Sequence, residues 1–194
     1  IPGWLMPADI FNAQLNYFSK DYQVVSLNPR SQGNSDIYLG KDLAAARSRD
    51  IKELINHLGI NDFVLIGWSL GVMESLDYVQ RYGTKGLNSL VLIDNSIGEG
   101  TPPKPSAKKG KASVMDQNKF TSYVKGFVKA IFKSSPPEEF TDKVEQSALR
   151  LSQTPQNAFN ILSKPYPREY YKNTIYGTNV PIWYAITPRY LQQG

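Results

Sequence analysis

Four apolar runs constrain the fold of this 194-residue chain more than any other feature: Tyr22 to Leu27, Phe63 to Ile66, Leu90 to Ile93 and Ile182 to Ile186. Runs without regular polar alternation suit strands covered on both faces, the signature of a parallel sheet. Helical periods lie between them. Ile51, Leu54, Ile55 and Leu58 follow i, i+3, i+4, i+7 spacing and stop at Gly59, a good residue to end a helix. Val72, Leu76 and Val79 repeat at i, i+4, i+7 before Gly83. Strand, helix, strand, helix, strand predicts an α/β domain with a mostly parallel sheet and flanking helices.

The interval from Ile93 to Ile182 is too long for one crossover and must hold an insertion. After Gly98 comes a Pro/Lys-rich loop, Thr101 to Lys111, then a helical pattern through Phe120, Tyr123, Phe127, Ile131 and Phe132. Pro136-Pro137-Glu138-Glu139 reads as a second helix start, with prolines and acids in the first turn, continuing through Val144, Ala148 and Leu151. An aromatic-rich stretch, Asn157 to Tyr171, returns the chain to the sheet. The expected division is a core of residues 1–97 and 177–194 and a mostly helical cap of residues 98–176.

The chemistry concentrates where strand meets helix. Directly after Phe63-Val64-Leu65-Ile66 stands Gly67-Trp68-Ser69-Leu70-Gly71, which opens the helix of Val72 to Tyr82. This is the G-x-S-x-G pattern in a strand–turn–helix context, and it reads as a nucleophile elbow. The turn is so tight that residues two before and two after the serine must be small. Ser69 is then held at a helix N-terminus, where backbone N–H groups and the helix dipole favour an oxyanion.

On these residues the chain resembles the α/β-hydrolase superfamily, in its esterase-like and haloperoxidase-like branches. Pro2-Gly3-Trp4 looks like the His-Gly-aromatic turn after the family's third strand, with Pro2 in place of the usual His. Asn28-Pro29-Arg30-Ser31-Gln32-Gly33-Asn34-Ser35 resembles the D-x-R-G-x-G-x-S loop after the fourth, with Asn28 and Ser31 as departures that bear on a structural turn. The resemblance implies a serine hydrolase of carboxylic esters: Ser69 as nucleophile, Trp4 and Leu70 as oxyanion-hole N–H donors, and no metal or organic cofactor. Serine at the elbow argues against the related dehalogenases and epoxide hydrolases, which use Asp there. The same alignment implies that the residues begin at the end of the third strand and stop just after the seventh. An N-terminal signal peptide is then an open question.

Histidine is scarce. His57 is the only one in the sequence, and the family's order is Ser, acid, His. His57 lies on the polar side of its helix, just before the strand leading to Ser69, so the two are expected roughly 20 Å apart at opposite ends of the sheet. A general base must reach hydrogen-bonding distance. His57 is therefore read as a solvated helix residue, the catalytic histidine is expected beyond Gly194, and the 194 residues alone are expected to be nearly inactive.

The acid has two readings. Ala185-Ile186-Thr187-Pro188-Arg189-Tyr190, where the family usually places it, contains no carboxylate. Asp94 closes the strand Leu90-Val91-Leu92-Ile93 and would face the crevice where parallel sheets bind ligands. It suits equally well a turn cap in Asp94-Asn95-Ser96, with the acid then beyond Gly194. Glu74 and Asp77 sit on the helix after the elbow and are read as a solvated face. Phe120, Tyr123, Phe127 and Phe132 are read as the cap's own core.

Composition closes off other chemistries. With Cys 0 there is no disulfide, thiol nucleophile or cysteine metal site, and one histidine forbids a multi-histidine cage. No apolar run approaches the ~18 residues of a membrane span, so a soluble chain is expected. All of the +5 net charge falls between Thr101 and Arg150, which holds ten Lys/Arg against five Asp/Glu and leaves twelve of each elsewhere. The lysines suit a solvated face. The alternative class is a hydrolase-fold protein without catalysis whose basic cap binds a ligand or an acidic partner such as an acyl carrier protein, since Gly-Trp-Ser-Leu-Gly is also similar to the elbow of carrier-protein methyl ester esterases. No nucleic-acid motif is present, and charge alone is a poor argument for that partner.

Overall fold

The computed structural model describes residues 1–38, 40, 42–95, 117–132, 134–150 and 168–187. Three strands, β1 (Phe63–Trp68), β2 (Leu87–Ile93) and β3 (Ile182–Ala185), pair in parallel in that order. The register sets Trp68 beside Ile93 and Ile93 beside Ala185, so the three strands end level. Ile1 adds one residue at the outer edge of β1, its N–H donating to the Ile66 carbonyl (2.7 Å) and its carbonyl accepting from the Trp68 N–H (3.1 Å).

A short 3-10 turn (Ala8–Phe11), α1 (Asn12–Phe18) and α2 (Leu43–His57) precede β1, and α3 (Leu70–Tyr82) connects β1 to β2. Helix α2 starts eight residues before the apolar stripe at Ile51, because the Asp42 carboxylate caps it by accepting from the Ala45 N–H (3.0 Å). It ends at Gly59, whose φ of 63° a side chain would resist. Helix α3 is buried from Leu70 to Val79, packed on β1 and β2 with α2 and α6 (Arg168–Gly177) against it. In the long interval, α4 (Gln117–Ala130) and α5 (Glu138–Arg150) pack together through Phe120, Val124, Val128, Val144 and Ala148, all fully buried.

Two expectations need correcting. Tyr22 to Leu27 is no strand: its Tyr22 and Val25 are exposed, and it pairs with no strand among the described residues. An apolar run becomes a strand only where a ladder partner takes its N–H and C=O groups. Nor do the described residues cover β1 on both faces. Leu65 is buried beneath α3, while Val64 and Ile66 on the other side are 49% and 43% exposed. The Pro/Lys-rich loop of residues 101–111 and most of the aromatic stretch after Asn157 lie outside the described residues.

Candidate active site

At the level end of the strands, β1 passes into α3 through Ser69, held at φ 53° and ψ −118°. Such a backbone conformation is costly for a residue with a side chain, by roughly 1–3 kcal/mol, and persists only where the surroundings enforce it. Both glycines of the motif are part of that enforcement. A Cβ at Gly67 would stand 2.3 Å from the Gly71 carbonyl oxygen, and one at Gly71 would stand 2.4 Å from the Ile1 carbonyl oxygen. The Ser69 N–H donates to the Ile93 carbonyl (2.8 Å), and its own carbonyl accepts from the Val72 N–H (3.0 Å) and the Asn95 side-chain amide (2.7 Å). The Tyr184 hydroxyl donates to the Asn95 carbonyl and steadies that amide. The serine side chain does not cap its own helix.

The Gly3-Trp4-Leu5 loop lies against the serine. A Cβ on Gly3 would stand 3.0 Å from the Ser69 Cβ and 3.3 Å from the Trp68 ring, so a side chain there would crowd the serine. Leu5 takes φ 64°, and the Met6 N–H closes the turn on the Gly3 carbonyl (3.1 Å). The Trp4 ring is buried against α4, edge-on to Phe127 at 5.4 Å between centroids and 6.2 Å from Tyr123. Tyr123 and Phe127 thus meet the core's loop as well as their own helix pair, a contact that helical periodicity alone did not reveal. Leu70 opens α3, where the first N–H groups have no partner within the helix.

One strand over, Asp94 follows β2 as Ser69 follows β1, also at φ 53°. Its N–H donates to the Ala185 carbonyl (2.8 Å), and its Oδ1 accepts from the Thr187 hydroxyl (2.6 Å) and N–H (3.4 Å). His57 is exposed at the last residue of α2, which leads into the N-terminal end of β1, whereas Ser69 follows the C-terminal end of that strand. The structure therefore brings Gly3, Trp4, Leu70, Ser69 and Asp94 to one end of the sheet and leaves His57 at the other. Among the described residues, no group of three His, Asp or Glu side chains comes together as a metal site.

Glu74 and Asp77 are not solvated: they are 1% and 2% exposed. A helix enclosed by a sheet and two other helices has no wet face, so its carboxylates must find partners inside. Glu74 pairs with Arg47 of α2. Asp77 accepts from Ser48, Arg81 (2.6 Å) and the Tyr171 hydroxyl (3.0 Å), which joins α2, α3 and α6. Arg47 lies four residues before Ile51, on the apolar stripe of α2, a signal that a buried partner awaited it. Arg47 also donates to the Arg30 carbonyl (2.7 Å) and to the Gln32 side-chain oxygen (3.1 Å). Gln32 and Asn95 carry no comparable sequence signal.

The parallel sheet, the serine turn between β1 and α3, and the glycine loop folded over it are the marks of one family. The chain belongs to it: the family model described as alpha/beta hydrolase fold matches residues 1–188. Among curated relatives, it is 31% identical over 93 residues to a bifunctional esterase/perhydrolase of Acinetobacter calcoaceticus, a stretch covering 47% of this chain and 33% of that protein. A non-heme haloperoxidase of Rhodococcus erythropolis matches equally, at 31% over 93 residues, covering 47% of this chain and 34% of the relative. The stretch matched in each is thus about a third of its length. Among solved structures, an esterase from Exiguobacterium antarcticum superposes with a TM-score of 0.68 at 18% identity, over 99% of this chain and 85% of that one, a likeness of fold.

Proposed function

We propose that the protein is a serine hydrolase of carboxylic esters, with Ser69 as nucleophile. The observation that carries this is the serine's strained backbone, fixed by Gly67 and Gly71 with no room for a Cβ at either and with the Gly3 loop against its side chain. Strain of this kind is maintained where a side chain must be presented, and the esterase names among the relatives point to the substrate class. Ser69 Oγ attacks the ester carbonyl carbon, and its proton passes to a base that later returns it to the leaving alkoxide. The N–H groups of Trp4 and Leu70 hold the oxyanion of the tetrahedral intermediate. Water then hydrolyses the acyl-serine by the same steps. Asp94 orients the base through Oδ2, which takes no hydrogen bond among the described residues, while Thr187 fixes Oδ1. His57, the one histidine of the sequence, is exposed at the end of the helix that precedes β1 and is not proposed as that base. The substrate is a small ester or acyl compound, and the reaction needs no cofactor.

A second reading has one observation in its favour. Lys119, Lys125 and Lys129 are exposed along α4, a basic strip suited to an acidic partner of a fold that does not catalyse. One experiment separates the two. A fluorophosphonate probe applied to the full-length protein is expected to label Ser69 and to lose all labelling in Ser69→Ala. An unlabelled parent protein removes the enzyme reading.

A further inference from the structure

The oxyanion loop rests on a buried polar chain that begins two helices away. Gln32 is 1% exposed, and its side-chain nitrogen donates to both the Gly3 carbonyl (2.9 Å) and the Met6 carbonyl (3.1 Å). Its side-chain oxygen accepts from Arg47, itself 1% exposed and paired with Glu74. The amide has only one workable orientation: two carbonyls on one side demand the NH2, and a guanidinium on the other demands the oxygen. Every group of Gln32 is thereby used. A surface glutamine would turn freely; this one is set by a fixed charge behind it.

The Gly3 carbonyl and the Trp4 N–H belong to a single planar, trans peptide, so they point in opposite directions and turn together. Holding the carbonyl fixes where the N–H aims. We propose that Gln32 is a positioning residue for the oxyanion hole, and that Arg47 and Glu74 serve the reaction by locking Gln32. The inference rests on the serine-hydrolase reading and deepens it. Its physical content is that the Gly3–Trp4 peptide, in a loop with Leu5 at φ 64°, would otherwise rest on the local Met6 N–H bond to the Gly3 carbonyl, and the Gln32 amide adds a second donor from outside the loop. A donor held in advance costs no reorganisation when charge develops on the substrate oxygen.

The test uses the full-length protein and steady-state hydrolysis of a p-nitrophenyl ester. Gln32→Met keeps the side chain's size and removes its hydrogen bonds. It is expected to lower kcat about tenfold, less than the loss of a whole oxyanion donor, with KM within about twofold, because the contact acts on the transition state. A boronic acid that mimics the tetrahedral intermediate should lose affinity by the same factor. Arg47→Met alone would take the guanidinium from the buried Glu74 carboxylate and is expected to destabilise the protein strongly. The double variant Arg47→Met/Glu74→Leu removes both charges and should reproduce the kcat loss, and adding Gln32→Met to it should cost little more. Ser48→Ala, which weakens the Asp77 cluster instead, should lower stability and leave kcat unchanged. A folded Gln32→Met protein with the parent's kcat overturns the proposal. A parent protein that neither turns over the ester nor labels at Ser69 instead removes the enzyme reading on which the proposal rests.

Discussion

Ser69 and Asp94 occupy equivalent places on adjacent strands. Each follows the last paired residue of its strand, each stands at φ 53°, and each donates its N–H to the strand beside it, to Ile93 and Ala185 respectively. Beyond that they diverge. Ser69 opens a buried helix, its backbone is held on both sides, and its side chain does not cap the helix. Asp94 has a side chain tied down at Oδ1 by two groups of Thr187. The same strand-end geometry thus presents one side chain and moors the other. For Asp94, the mooring is what a turn cap and an orienting acid have in common, so only a kinetic experiment separates them.

That experiment carries the largest expected effect. In the full-length protein, Asp94→Asn retains the size of the side chain and an oxygen that can accept from Thr187, but loses the charge that a protonated base requires. Turnover is expected to fall on the order of 10⁴-fold, as it does when a triad acid is made neutral. Thr187→Val loosens the mooring without touching the charge and should cost about tenfold or less, near one hydrogen bond. If Asp94→Asn hydrolyses an ester as the parent does, Asp94 is a turn cap and the symmetry with Ser69 is only one of backbone.

The next effect is on stability, at a position where the two strands are register partners. Gly67 pairs with Leu92. The first has no room for a Cβ, since the Gly71 carbonyl and the Ser75 hydroxyl stand 2.3 and 2.7 Å from where it would be, whereas the second is a core side chain 1% exposed. Gly67→Ala should therefore destabilise by about 3 kcal/mol through overpacking, read as a lower urea midpoint. An unchanged midpoint would mean that the turn can open, and the enforced strain at Ser69 would lose its basis.

The strand–serine–helix turn was legible in the sequence because everything that makes it is contiguous: an apolar strand, two glycines about a serine, and a helical period. The polar chain behind the Gly3-Trp4-Leu5 loop was not, since Gln32 reaches Gly3 across 29 positions and Arg47 reaches Glu74 across 27. Read one helix at a time, Glu74 and Asp77 looked like a wet face, and only the packing of α2 and α6 on α3 made them interior. Tyr22 to Leu27 failed in the reverse sense. Its pattern was that of a strand, but strand formation depends on a neighbour that local composition does not report. Asp94 was placed correctly at its strand end, while the hand that moors it, Thr187, lies 93 positions away.

The smallest effect returns to the two positive φ angles and turns on sign. Ser69→Gly removes the side-chain penalty at φ 53° and ψ −118° and relieves the close approach of Gly3, against a smaller gain of freedom in the unfolded chain. The Ser69→Gly variant should be more stable than the parent by about 1 kcal/mol. Asp94→Gly gains the same backbone relief but gives up both Thr187 bonds, and aspartate tolerates positive φ better than most residues. It should come out about 1 kcal/mol less stable. Opposite shifts of the urea midpoint with a common m-value would show that one position stores strain for its side chain while the other stabilises the sheet through it. Shifts of the same sign would mean that the two strand ends are alike in energy as well as in backbone.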